Sequence, residues 1–91
     1  MNDLTKLREL LAKEKYPHTF VYKFIGKNTE AFAAGVAILA TNNPELKETA
    51  RRHSPNGAHC AITFALVATS PDAILHVYPQ ISAIPDLLVM I

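Results

Sequence analysis

The chain contains a single cysteine, Cys60, in 91 residues, which excludes an intramolecular disulfide and any framework of paired cysteines. A free cysteine of this kind reads as a small buried hydrophobe, since a reactive thiol needs an exposed, electropositive site. Net charge is nearly absent as well, at +1. A field that weak does not gather phosphate backbones, so nucleic acid is not an expected partner, and there is no acidic tail. Long apolar runs are missing. The longest, residues 31–40, reaches about half of the roughly 20 residues that a membrane span requires, so no membrane association is expected. The N-terminus sets Asp3, Lys6, Arg8 and Glu9 among its leucines, unlike the basic tip and apolar run of a secretory signal. A cytoplasmic protein is the expectation.

Catalytic and metal-binding signatures are equally scarce. Four histidines occur, His18, His53, His59 and His76, but no pair has the spacing that places two imidazoles on one helix face, and no Cys-x-x-Cys exists. We therefore expect no metal, no cofactor and no catalytic residue set. His53 and His59 flank a turn and could face each other across it, which would make a weak, adventitious metal site at most.

What is present is a hydrophobic fraction of 49 % with 19 % charged residues, the balance of a folded domain. A chain this short buries only roughly 60 to 65 % of its surface on folding, so residues 1–91 are expected to form one domain around one core. Within it, residues 1–15 hold an N-terminal helix, and residues 16–91 hold the remaining elements.

The clearest local signal is residues 16–26. Phe20, Tyr22 and Phe24 alternate with Val21, Lys23 and Ile25 between Pro17 and Gly26, and apolar residues on both faces mark a central strand. Before it, Leu4, Leu7, Leu10 and Leu11 make a narrow stripe on a charged helix over residues 3–14, with Asn2 or Asp3 as cap. After it, Asn28 is a candidate cap for a helix through Thr41 that buries Phe32, Val36 and Leu39. Residues 45–54 are polar. Propensity alone accepts a helical turn there, but Ser54-Pro55-Asn56-Gly57 closes a hairpin and favours a strand, with Arg51 and Arg52 protecting an exposed edge.

Residues 58–68 alternate apolar positions on both faces and read as a second central strand. Ser70-Pro71-Asp72 starts a helix, with Ser70 as cap and Pro71 at the first position. Its buried face is Ile74, Val77, Tyr78 and Ile81. Pro79 predicts a kink or a fresh helix start. Residues 87–91 form a last strand.

Beyond the first helix the order is strand, helix, strand, strand, helix, strand. This is an α+β, ferredoxin-like βαββαβ sandwich, with a four-stranded antiparallel sheet of order 4-1-3-2, two helices on one face and an extra N-terminal helix. The order puts the two doubly apolar strands in the middle and the polar one on an edge. The second face of the sheet, with Val21, Ile25, Ala61, Ala65, Val67, Leu88 and Met90 as candidates, calls for a cover. The N-terminal helix is the preferred one and a second copy of the chain the other.

These residues resemble the family of small bacterial proteins typified by YbeD, whose ferredoxin-like fold is similar to the ACT regulatory domain. The resemblance lies in the leucine helix before Tyr16-Pro17, then in Phe20, Tyr22-Lys23 and Ile25-Gly26, in Ser54 and Gly57, in Tyr78, and in the ending Val89-Met90-Ile91. It departs at His59 and Ala61, where the family has an aromatic and then a serine, and at Pro79. The resemblance implies a fold and a regulatory role, and no reaction.

Candidate contact residues for a ligand or partner are Arg51, Arg52, His53, Asn56 and His59, because arginines on an edge strand bind carboxylates or phosphates and a hairpin tip is a natural site. The expected function is that of a non-catalytic regulatory or adaptor protein binding a small metabolite or a partner protein, with a homodimer among the options. The alternative is a small enzyme acting on an anionic substrate through Arg51, Arg52 and His53 or His59.

Overall fold

The computed structural model describes residues 4–91. In chain order it has α1 (Leu4–Leu11), β1 (His18–Lys27), α2 (Glu30–Asn42), β2 (Lys47–His53), β3 (His59–Ala68), α3 (Pro71–Leu75), α4 (Tyr78–Ser82) and β4 (Leu87–Met90). The capping expected of Asn2 or Asp3 lies outside the described residues. The four strands form one antiparallel sheet in the order β2-β3-β1-β4. The two doubly apolar strands are thus central, the polar one is an edge, and residues 47–53 are strand throughout.

Alternation along β1 and β3 separates two faces. Tyr22, Phe24, Cys60, Ile62, Phe64 and Leu66 are buried on one, beneath Phe32, Val36 and Leu39 of α2 and Ile74, Val77 and Ile81 of the last helices. The aromatics of β1 belong to this core: Phe24 stacks on Phe64 at 6.1 Å between ring centroids, and Phe20, Tyr22 and Tyr78 meet edge to face at 4.9 to 6.2 Å. The Tyr22 hydroxyl donates to the Ile74 carbonyl at 2.8 Å. Burial, and next the neighbouring Tyr78, raise the Tyr22 pKa well above that of an ordinary tyrosine, so the hydroxyl remains a donor through the alkaline range.

The cap of α2 differs from the expectation. Thr29, rather than Asn28, caps α2, its hydroxyl accepting from the Phe32 amide at 3.1 Å and donating to Asp86 at 2.7 Å. Asn28 instead donates to the Gly57 carbonyl at 2.9 Å and ties α2 to the hairpin. At Pro79 the helix starts afresh rather than kinking, one of the two outcomes expected: α3 is capped by Ser70, and α4 begins with Pro79 in its first turn, where a missing amide hydrogen costs least. Asn43, 2 % exposed, ties the end of α2 to α4, its amide donating to the Leu39 carbonyl at 2.8 Å and to Gln80 at 2.7 Å.

The larger correction concerns α1. It does not cover the second face of the sheet. Leu11 is buried in the same core as the other helices, with Leu4 and Leu7 packed against it. The Tyr16 hydroxyl donates to the Leu11 carbonyl at 2.8 Å, and Arg8 pairs with Asp72 at the start of α3. A helix of eight residues persists only where its stripe finds apolar cover, and the helical layer supplies it. The other face is therefore open, and Met90, expected on it, instead packs against the core opposite Phe24.

Gly26 fixes how closely α2 approaches the sheet. A Cβ there would lie 2.1 Å from the Phe32 ring, and that ring is 2 % exposed with no room to retreat. Gly26→Ala should cost about 3 kcal/mol by overpacking, read as a fall in Tm of roughly 10 °C or more. Pairing it with Phe32→Leu should restore part of the loss; an unchanged Tm in the single variant would contradict the packing.

Candidate functional site

The β2–β3 hairpin is held by its own side chains. The Gly57 amide donates to the Ser54 carbonyl at 2.9 Å, and Gly57 adopts φ 74°, a left-handed conformation that glycine enters without strain. The Ser54 hydroxyl donates to Asn56 Oδ1 at 2.8 Å and accepts from the His59 amide at 3.0 Å, while Asn56 Oδ1 also accepts from the Ala58 amide. Asn56 is thus committed to the turn. Arg51 is committed too, since its Nε and Nη2 each donate to Glu48 at 2.8 Å. Those hydrogen bonds hold the Glu48 carboxyl below the usual carboxylate pKa and raise that of Arg51.

Arg52, His53 and His59 remain of the expected contact residues. The register sets His53 opposite Cys60, so the two imidazoles are offset rather than facing each other. They nevertheless line, with Arg52, Ile25, Pro55 and Ala61, a recess of about 310 Å3 on the rim of the open sheet face. Cys60 lies in the core. Among the described residues no cluster of histidine, cysteine and acidic side chains has the arrangement of a metal centre.

The recess continues onto the open face. Cross-strand register arranges that face in rows: Arg52, Ala61, Ile25 and Val89; then Ala50, Thr63 and Lys23; then Lys47, Ala65 and Val21. The small side chains of β3, Ala61, Thr63 and Ala65, make the floor of a trough, with β2 as one bank and β1 as the other. A second recess of about 300 Å3, lined by Lys23, Ile25, Ala50, Arg52 and Ile91 among others, adjoins the first along this trough. Val21, Val67 and Val89 are 51 %, 66 % and 47 % exposed. Lys23, in the middle of the sheet, reaches solvent here instead of meeting an acid.

Val21, Ile25, Ala61, Ala65 and Val67 lie on the second face as the alternation predicts; the trough between the flanking strands was not expected, although the period-two run of small residues at 61, 63 and 65 is its signal. The helical side has its own groove of about 240 Å3 between α2 and α4, lined by Gly35, Ile38, Leu39, Gln80 and Ile84 among others. No described helix is long and apolar enough to cross a membrane.

Comparison with known proteins gives a family. A family model, Protein of unknown function (DUF493), matches residues 12–91. The chain belongs to this family. No curated protein and no solved structure matches. The match to the DUF493 family spans all four strands and the hairpin, and so includes every residue of the trough.

The Glu48–Arg51 pair gives a test of the edge. Both side chains are more than a third or about a third exposed, so solvent limits the pair to less than about 1 kcal/mol. Because the folded pKa of Glu48 is depressed, its contribution is present above the ordinary carboxylate pKa and lost as pH falls through the folded value. Glu48→Gln should therefore lower stability slightly near neutral pH and match the wild type in acid, in urea titrations across pH. A difference that persisted in acid would assign the effect to packing.

Proposed function

We propose that this protein is a cytoplasmic, non-catalytic regulatory or adaptor domain with a YbeD-like, ferredoxin-like fold of the ACT type, and that it works by docking a partner protein on the open face of its sheet. The observation that carries this reading is the trough: a contiguous, partly apolar surface on the central strands of the domain, left without a cover by its own helices. An exposed patch of this kind on a small domain marks an interaction surface. A partner protein suits it better than a metabolite, because the recesses are shallow and lie open along the sheet, whereas small ligands are mostly enclosed. Arg52, His53 and His59 then stand at one end of the contact surface as polar rim residues, as interfaces commonly have.

The alternative, a small enzyme acting on an anionic substrate, rests on the same three residues around the hairpin recess. Arg52 would bind the anion and an imidazole would move a proton. Among the described residues, no imidazole is hydrogen-bonded to a hydroxyl, thiol or carboxylate that would orient it, which makes this the second choice.

The experiment is affinity capture from the native cell with the wild type and with Ala61→Gln/Ala65→Gln, which fills the trough without changing its charge. The proposal expects a specific protein captured by the wild type and lost in the variant, with both folded by circular dichroism. A partner set unchanged in the variant would exclude the trough, and hydrolysis of an anionic ester abolished by Arg52→Ala and His59→Ala would favour the enzyme.

A further inference from the structure

Charge on the open face is of one sign. Its strand side chains include Lys23 and Lys27 on β1 and Lys47 and Arg52 on β2, and no strand side chain on this face is a carboxylate. The only acidic residue within a strand is Glu48, which is held by Arg51. Among the described residues, Lys23, Lys47 and Arg52 form no ion pair. The protein as a whole is nearly neutral, so this is a local segregation of charge. It places cations on both banks of the trough, with Ala61, Thr63 and Ala65 between them.

Three features restrict what can lie there. First, β2 and β1 are two strand spacings apart, about 9.5 Å, which matches the width of an α-helix. Second, the backbone groups of β3 are already bonded to β1 and β2. An extended segment laid on this face would find no main-chain partners, whereas a helix satisfies its own backbone. Third, every phenylalanine and tyrosine of β1 and β3 lies on the helical side, and His59 stands alone at the rim, so the face lacks the paired stacking platform by which such sheets bind single-stranded RNA. A second copy docked face to face would set these cations against their own images, which is unfavourable at close range.

We propose that the open face receives an acidic amphipathic helix of a partner protein, its apolar stripe seated on Ala61, Thr63 and Ala65 and its flanking carboxylates paired with Arg52 and Lys47 on one bank and Lys23 on the other. This rests on the adaptor reading and supplies the chemistry of the partner. A helix of about 20 residues, roughly 30 Å long, would run the length of the ten-residue β3.

The test uses a fluorescein-labelled designed peptide of about 18 residues, with leucines at helical spacing and glutamates flanking them, and a second peptide with lysine in place of every glutamate. The glutamate peptide should raise anisotropy with the wild type and the lysine peptide should not. Lys23→Glu/Arg52→Glu should weaken the glutamate peptide at least about tenfold, as expected when opposite charges become like. The same variant should gain affinity for the lysine peptide, a reversal that mere loss of structure cannot produce. Binding of the two peptides equally, tighter binding of a single-stranded RNA of about ten nucleotides, or dimerisation abolished by the charge reversal would each overturn the proposal. A natural partner captured through the trough but indifferent to the charge reversal would overturn the acidic helix while leaving the adaptor reading in place.

Discussion

The ten-residue antiparallel ladder between β1 and β3 decides what each side of the sheet can be, because side chains alternate with a period of two and a slip of one residue inverts both faces at once. In the observed register Tyr22 lies beside Phe64, and Phe24 beside Ile62, so the large aromatic and branched residues fall together beneath the helices. The same register sets Lys23 beside Thr63 and Ile25 beside Ala61 on the opposite side. A slipped pairing would drive Lys23 into the core and expose Phe24. Gly26 adds a second restraint, since the ring of Phe32 occupies the space of its absent side chain. Helix and sheet are thereby locked at one spacing, and β3 receives its small residues on the face that remains open.

Much of this was legible in the residues themselves. The doubly apolar alternation of the two central strands, the polar edge of β2, and the Ser70-Pro71 helix start are local patterns whose physics is complete within a few residues, and each is found where the pattern placed it. The features that escaped are those set between distant elements. Asn28 and Thr29 are both competent caps, and the choice was made by Asp86 and Gly57, far along the chain. Asn43 reads as a turn former, yet it is buried because Gln80 on α4 completes its hydrogen bonds. Of the hairpin contact residues, Arg51 and Asn56 proved to be engaged locally by Glu48 and Ser54. Arg52 is left outward because its register partner is Ala61.

The uncovered face is the strongest departure from the expectation, and charge favours the seat that α1 takes instead. The stripe of α1 could in principle rest on either side of the sheet. Beside that stripe the helix carries Lys6 and Arg8 against Glu9, and Lys13 and Lys15 against Glu14 follow it. Laid across the trough, it would bring this basic excess toward Lys23, Lys47 and Arg52. Packed beside α3, its Arg8 meets Asp72 instead, and Leu11 joins a core already assembled. The arrangement that gives the helix an acid and an apolar seat leaves the sheet with neither. A segment that supplies both carboxylates and apolar side chains matches this face best, and α1, with Lys6 and Arg8 against Glu9, does not.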